Sequence, residues 1–176
     1  MAATTPADHD ARFGAPRSKT ITWHDPLAVA REGLQMAGRD YLQAVLDGEL
    51  PGPPILHHFN MRGVSVGDGE IEFAATPDES AYNPVGLVHG GMACTLLDSA
   101  AGCAVHTTLP AGTGYASIEI KVNYLRAIHG DAGELRVRGW VTKPGRRIAF
   151  AQAELRDARG RLLADCSTSC AIMSAA

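Results

Sequence analysis

The stretch from His89 to about Leu109 is the most apolar part of the chain, and at helical spacing its apolar positions run nearly all the way round. Ala93, Leu96, Leu97, Ala100 and Ala104 make one face, while Gly91, Cys94, Gly102 and Val105 lie on the opposite side, where small residues let another backbone approach closely. A helix with no polar face must be buried on every side, so the rest of the chain has to enclose it. Membrane insertion is not the solution, because His89, Asp98 and His106 interrupt Val88 to Leu109 and would be expensive in hydrocarbon.

Strands are available to do the enclosing. From Ile55 to Thr76 the period changes to two, with Val64, Val66, Ile71 and Phe73 flanking Gly67-Asp68-Gly69, the residues of a tight hairpin turn. An irregular loop, Pro77 to Val88, leads into the helix. Four alternating segments follow it: Tyr115 to Arg126, Glu134 to Thr142, Arg147 to Arg156 and Arg161 to Met173, with turns at Gly130, Pro144-Gly145 and Asp157 to Gly160. Two strands, one long apolar helix and four more strands predict an α+β layer in which a curved antiparallel sheet wraps that helix.

Ahead of this unit the spacing predicts one extra N-terminal helix. Asp25 caps it, Pro26 opens it, and Leu27, Ala30, Leu34, Ala37, Tyr41 and Val45 form its stripe before Gly48 stops it. Glu49 to Pro54 then reads as a linker. Residues 1–22 have the composition of a disordered tail, so the division is 1–22 tail, 23–54 helix and linker, and 55–176 the folded domain. The tail has no apolar core of a secretion signal, and Asp8 and Asp10 argue against a transit peptide.

Sixteen basic against 19 acidic residues leave a net charge of −3, so no global field attracts nucleic acid or an anionic membrane. Four cysteines without a C-x-x-C pair or clustered histidines spell neither a metal site nor a redox motif, and predict buried, reduced thiols in a cytoplasmic protein.

Asp98 is the residue that asks for an explanation. Inside an otherwise apolar helix it costs on the order of several kcal/mol unless paired or protonated, and two readings are open: an acid on a solvent-facing stripe or with a structural partner, and an acid kept for chemistry. At the helix start, Gly90 and Gly91 offer side-chain-free amides at the positive end of the dipole, either a flexible beginning or a place to hold an oxyanion. Asn83 and His89 precede it in the loop, where turn and capping roles are equally open. Nine residues separate His89 from Asp98, half a turn out of phase and about 13 Å along the axis. One small site cannot use both within the same helix, so joint action requires two chains and a symmetric dimer.

The pattern Asn83-x5-His89-Gly90-Gly91 with Asp98 beyond it, followed by Ser117-Ile-Glu-Ile-Lys-Val-Asn-Tyr124, resembles the PaaI-type acyl-CoA thioesterases of the hotdog-fold superfamily. The likeness runs from about Ile55 to Met173 and includes the Lys143-Pro-Gly-Arg146-Arg147 turn. It implies hydrolysis of an acyl-CoA to carboxylate and coenzyme A, with Asp98 as general base or nucleophile and the Gly90 amide on the thioester carbonyl. Asn83 and His89 would position the thioester or water, and Ser117 would orient the water beside Asp98. Asp98 and Ser117 would come from one subunit and Asn83, His89 and Gly90 from the other, in a homodimer or dimer of dimers. No metal or separate cofactor is needed.

Arg126, Lys143, Arg146 and Arg147 are candidates for a basic mouth toward the phosphates of coenzyme A, with Gly91 and Tyr82 also at the substrate. Tyr82, Leu87, Met92, Thr95 and Leu96 are candidates for the acyl pocket. Two other functions compete: a non-catalytic acyl-CoA binding or sensing module, and a hotdog dehydratase, which would want a histidine working opposite an acid in a different motif.

Overall fold

The computed structural model describes residues 6–174. Among them the element order is α1 (Pro6–Phe13), α2 (Pro26–Gly33), α3 (Gly38–Leu46), α4 (Pro54–His58), β1 (Met61–Gly67), β2 (Glu70–Ala75), α5 (Gly90–His106), β3 (Thr113–Tyr124), β4 (Leu135–Lys143), β5 (Ile148–Arg156) and β6 (Leu162–Ser174). The strands make one antiparallel sheet in the order β1-β2-β4-β5-β6-β3. This curved sheet closes around α5, whose Leu96, Leu97, Ala100, Ala104 and Val105 have no accessible surface. Burying each of the two leucines contributes about 1.5–3 kcal/mol. No helix among the described residues is long and apolar enough to cross a membrane.

The wrap is tight because of one glycine. Gly139 in β4 faces α5 at Ala100, and any Cβ there would run into the Ala100 carbonyl oxygen. Backbone therefore meets backbone, and the side chains that flank this point, Leu135, Val137, Ala151, Ala153 and Leu155, are buried around it.

The local rules hold well in the domain. The hairpin turns at Gly67 to Gly69, with Gly69 at φ 73°, and the four later strands lie where alternation places them. Asp25 caps α2 by accepting from the Leu27 amide at 2.9 Å, with Pro26 in the first turn.

Two expectations are corrected. The predicted single helix from Leu27 to Leu46 is two helices, α2 and α3. The break falls where the segment docks on the end of α5: the Leu34 carbonyl accepts from the Gly112 amide at 2.7 Å and the Gly38 amide donates to the Leu109 carbonyl at 3.0 Å. Those groups serve tertiary bonds instead of the helix ladder. Nor does the strand pattern begin at Ile55, because Pro54 starts the short α4 and the chain reaches β1 only after Asn60, at φ 48°. Ahead of these elements, α1 is helical, with residues 9 to 13 all exposed, and Lys19 further along donates to Asp78 and to the His58 carbonyl.

Gly139→Ala is expected to cost about 3 kcal/mol or more, lowering the melting temperature by about 6–12 °C in calorimetry. A shift within 2 °C would mean that β4 and α5 are not in backbone contact.

Candidate active site

α5 begins with a cap made by an imidazole. His89, at φ −65° and ψ 137°, accepts the Gly91 amide on Nδ1 at 2.7 Å, which leaves the proton of the neutral ring on Nε2. The Met92 amide turns back to the His89 carbonyl. The Gly90 amide has no acceptor among the described residues, so one N–H stands free at the positive end of a 17-residue helix. Tyr124, last residue of β3, donates its hydroxyl to the Gly90 carbonyl at 3.1 Å.

Asn83 organises the approach loop. Its Oδ1 accepts from the Val85 and Leu87 amides, both at 3.0 Å, an Asx turn that mimics a backbone turn. The oxygen is committed to the loop, and the side-chain N–H groups are what Asn83 can offer a ligand. Asn83, Leu87, Gly90, Tyr124 and Arg126 line one cleft of about 270 Å³.

Asp98 lies in a different cavity. It is half-buried, and its Oδ1 accepts the Ser117 hydroxyl at 2.8 Å. Ser117 reaches it because β3 changes parity. The pairing of β3 with β6 shifts between Ser117 and Glu119, a bulge that adds one residue to the strand. Tyr115 and Ser117 point at α5 before the bulge; after it Ile120 and Val122 pack inward, and Tyr124, largely exposed, reaches the Gly90 carbonyl with its hydroxyl. In an unbroken strand Ser117 and Tyr124, seven positions apart, would face opposite ways.

The Asp98 cavity, about 280 Å³, continues past Ser117 to Tyr115, Cys103 and His106. The Tyr115 ring lies against Gly102, 2.6 Å from where a Cβ would stand, so only glycine admits it there. Burial, with a smaller push from Asp98, raises the Cys103 thiol to about 11, and burial raises Cys166 to about 12. Both thiols stay protonated at neutral pH and are poor nucleophiles.

The sequence-predicted residues thus fall into two groups. Asn83 and Gly90 share one cleft, and Asp98 and Ser117 share the other. His89 and Gly91 close the cap between themselves and are exposed. Arg126 lies at the Leu162 end of β6, donating to the Leu162 carbonyl at 3.3 Å, whereas Arg147 pairs with Ile172 at the other end, beside Lys143 and Arg146. Nine residues of strand, about 30 Å, separate them, so no single basic mouth forms within one chain. Of the predicted acyl-pocket residues, Met92 and Leu96 are buried in the core, Leu87 lines the Gly90 cleft, Thr95 bonds the Gly91 carbonyl, and Tyr82 packs against Gly130. The Asp98 cavity is walled instead by Tyr41, Leu42 and Val45 of α3 and Ile55 and Leu56 of α4; the spacing of Tyr41 and Val45 signalled only a helix face, and Ile55 read as the start of a strand pattern.

A long helix wrapped by a six-stranded antiparallel sheet is the architecture of the hotdog fold. The comparisons agree: the thioesterase superfamily profile matches residues 85–164. The 1,4-dihydroxy-2-naphthoyl-CoA hydrolase of Escherichia coli is 30% identical over 135 residues, covering 75% of this chain and 92% of that protein. Human acyl-coenzyme A thioesterase 13 is 28% identical over 103 residues, 57% of this chain and 71% of that one. Among solved structures, a phenylacetic acid degradation-related protein of Ralstonia eutropha is similar at TM-score 0.69 and 28% identity, covering 74% of this chain and 98% of that one. The E. coli PaaI protein superposes at TM-score 0.68 with 16% identity, covering 80% and 97%. This chain belongs to the thioesterase superfamily, and the PaaI-like resemblance and the fold class read from the sequence are both borne out.

Asn83→Ala removes two accepted bonds and is expected to cost about 1–2 kcal/mol in chemical denaturation. Asn83→Asp keeps the acceptor and should lose less than half as much. Equal losses would remove the Asx turn as the reason for this residue.

Proposed function

We propose that the protein hydrolyses acyl-CoA thioesters as a homodimer, with each active site assembled from both chains. The observation that carries this is the separation of a free Gly90 amide from the Asp98–Ser117 pair. Eight residues of helix, about 12 Å, lie between two groups that one thioester needs together.

The edge of the sheet offers a way to reunite them. β3 is an edge strand with exposed apolar residues, Ile118 at 56% and Tyr124 at 57% accessible, the kind of edge that invites pairing with another strand. Two copies of β3 paired antiparallel about Ile120 and Lys121 set Ser117 of one chain beside Tyr124 of the other. Asp98 follows Ser117, and Gly90 follows Tyr124. The same pairing carries the Lys143, Arg146 and Arg147 turn of the second chain toward the Arg126 end of the first, where these cations can meet phosphates.

In such a site Asp98, oriented by Ser117, takes a proton from water as the water oxygen bonds to the thioester carbonyl carbon. The carbonyl oxygen gains negative charge beside the Gly90 amide and the helix dipole, which stabilise it. The side-chain N–H groups of Asn83 and the Nε2 proton of His89 are the donors left to position carbonyl or water. Collapse of the tetrahedral intermediate breaks the C–S bond, and the departing thiolate takes up the proton held by Asp98. A cytoplasmic location fits four cysteines that stand free.

Gly90→Pro tests the site at one atom. Position 90 opens the helix, where proline is tolerated, and His89 already has the extended conformation that proline demands of its predecessor. The variant should fold and keep its dimer; its Cβ presses on the Tyr124 ring at 3.2 Å as that of Gly90→Ala does, so kcat should fall about 10²–10³-fold relative to Gly90→Ala, which keeps the N–H. Asp98→Asn should lose about 10²–10⁴-fold. Co-refolding the two variants should restore about a quarter of wild-type thiol release, since half the dimers are mixed and each mixed dimer has one intact site. No recovery in mixed dimers would overturn the composite site, and no thiol release by the wild type from any acyl-CoA would overturn the activity.

A further inference from the structure

The Asp98 cavity has an end, built jointly by α3, the end of α5 and β3. It follows one face of α5 from Asp98 through Gly102 to His106, residues four apart on the same side of the helix. The depth is about 12 Å. Leu42 and Val45 of α3, Ile55 and Leu56 of α4, and Phe73 of β2 make apolar walls, and no lysine or arginine lines the space. Tyr41, His106 and Tyr115 close the far end, with ring centroids 5.6 and 5.5 Å apart. Burial pushes the His106 pKa down and those of Tyr41 and Tyr115 up, so the closing wall carries no charge at neutral pH.

This wall is fixed to the fold. The Gly38 amide at the start of α3 is bonded to Leu109, the Gly112 amide to Leu34, and a Cβ at Gly38 would strike the His106 carbonyl. Leu42 and Ala44 are buried beneath α3. Tyr41 cannot swing outward freely either, because its ring covers Gly33, 2.6 Å from where a Cβ would be. The residues matched by the superfamily profile run from 85 to 164, so the α3 and α4 walls lie outside that match, while His106 and Tyr115 lie within it.

We infer that α3 and α4, with the second half of α5, form a closed-ended pocket for the apolar acyl group of the thioester, and that Tyr41, His106 and Tyr115 set the longest acyl group accepted. The inference rests on the thioesterase reading. With the carbonyl beside Asp98, the acyl group extends along α5 toward His106, gaining affinity with each methylene buried until it meets the three rings. Beyond that length further carbons have nowhere to go, because the wall is tied down by backbone bonds.

The test measures affinity by calorimetry for straight-chain acyl-CoAs of two to sixteen carbons, in an Asp98→Asn background that removes turnover. Affinity should rise about fourfold per methylene and then stop rising at a medium length. Adding Val45→Trp, which fills the pocket from α3, should move that limit at least two carbons shorter, and adding Tyr41→Ala should move it at least two carbons longer. If Tyr41→Ala does not fold, Val45→Trp alone decides the direction. The same limit in all three proteins, or affinity independent of length, overturns the inference while leaving wild-type hydrolysis untouched. A length limit that shifts as expected in a protein that releases no thiol upholds the pocket and overturns the thioesterase activity instead.

Discussion

Enclosure of α5 is the constraint on which the other features depend. A helix with Leu96, Leu97, Ala100, Ala104 and Val105 all at zero exposure has no polar face to leave in water, so the sheet must curve until it closes, and Gly139 permits the closest approach at Ala100. Polar chemistry on such a helix survives in two places. One is the N-terminal end, where backbone donors are unsatisfied by construction. The other is a gap along the side where the sheet has its edge, and Asp98 with Ser117 of β3 occupies it. The split of the candidate site into two clefts thus follows from the way the core is closed.

The parts of this arrangement governed by local rules were legible in the sequence. The hairpin, the four later strands and the helix start at His89-Gly90 depend on residue periodicity, turn glycines and dipole geometry, and they lie where those rules place them. What was not legible depended on tertiary bonds. Leu34 to Gly38 carries the helical stripe through, yet the helix breaks there because Leu109 and Gly112 compete for its backbone groups. The β3 bulge leaves no mark in composition, since either parity of Ser117 to Tyr124 presents a mixture of apolar and polar residues. Met92 and Leu96 read as pocket candidates because they flank the motif in sequence, but helical geometry turns them into the core, while Tyr41 and Val45, more than fifty residues from Asp98, arrive through packing.

His89 and Asn83 show why a motif's structural and chemical readings need not compete. Each commits one atom to the fold: Nδ1 of His89 caps the helix, and Oδ1 of Asn83 holds the loop. Each keeps N–H donors on the other part of the side chain. The structural bond fixes the orientation of those donors, so the stability contribution of these residues and any role at the carbonyl come from the same geometry. A residue type with only one polar atom could not serve both purposes, which gives a physical reason for an imidazole and a carboxamide at these two positions.

The same division extends to the larger scale. The Gly90 cleft is built from α5, its approach loop and the end of β3, whereas the walls of the Asp98 cavity include α3 and α4. Changing an apolar wall alters discrimination by roughly fourfold to 200-fold per methylene-sized change without touching the amide, the acid or the serine. The two functions are still joined mechanically, because the Gly38 and Gly112 bonds anchor α3 to the segment between α5 and β3. A shift of that anchor would move Tyr115, and Tyr115 shares its strand with Ser117. The wall therefore has freedom in its side chains but little in its backbone: substitutions facing the cavity change its shape locally, whereas insertions between α2 and α3 would shift the strand that carries Ser117.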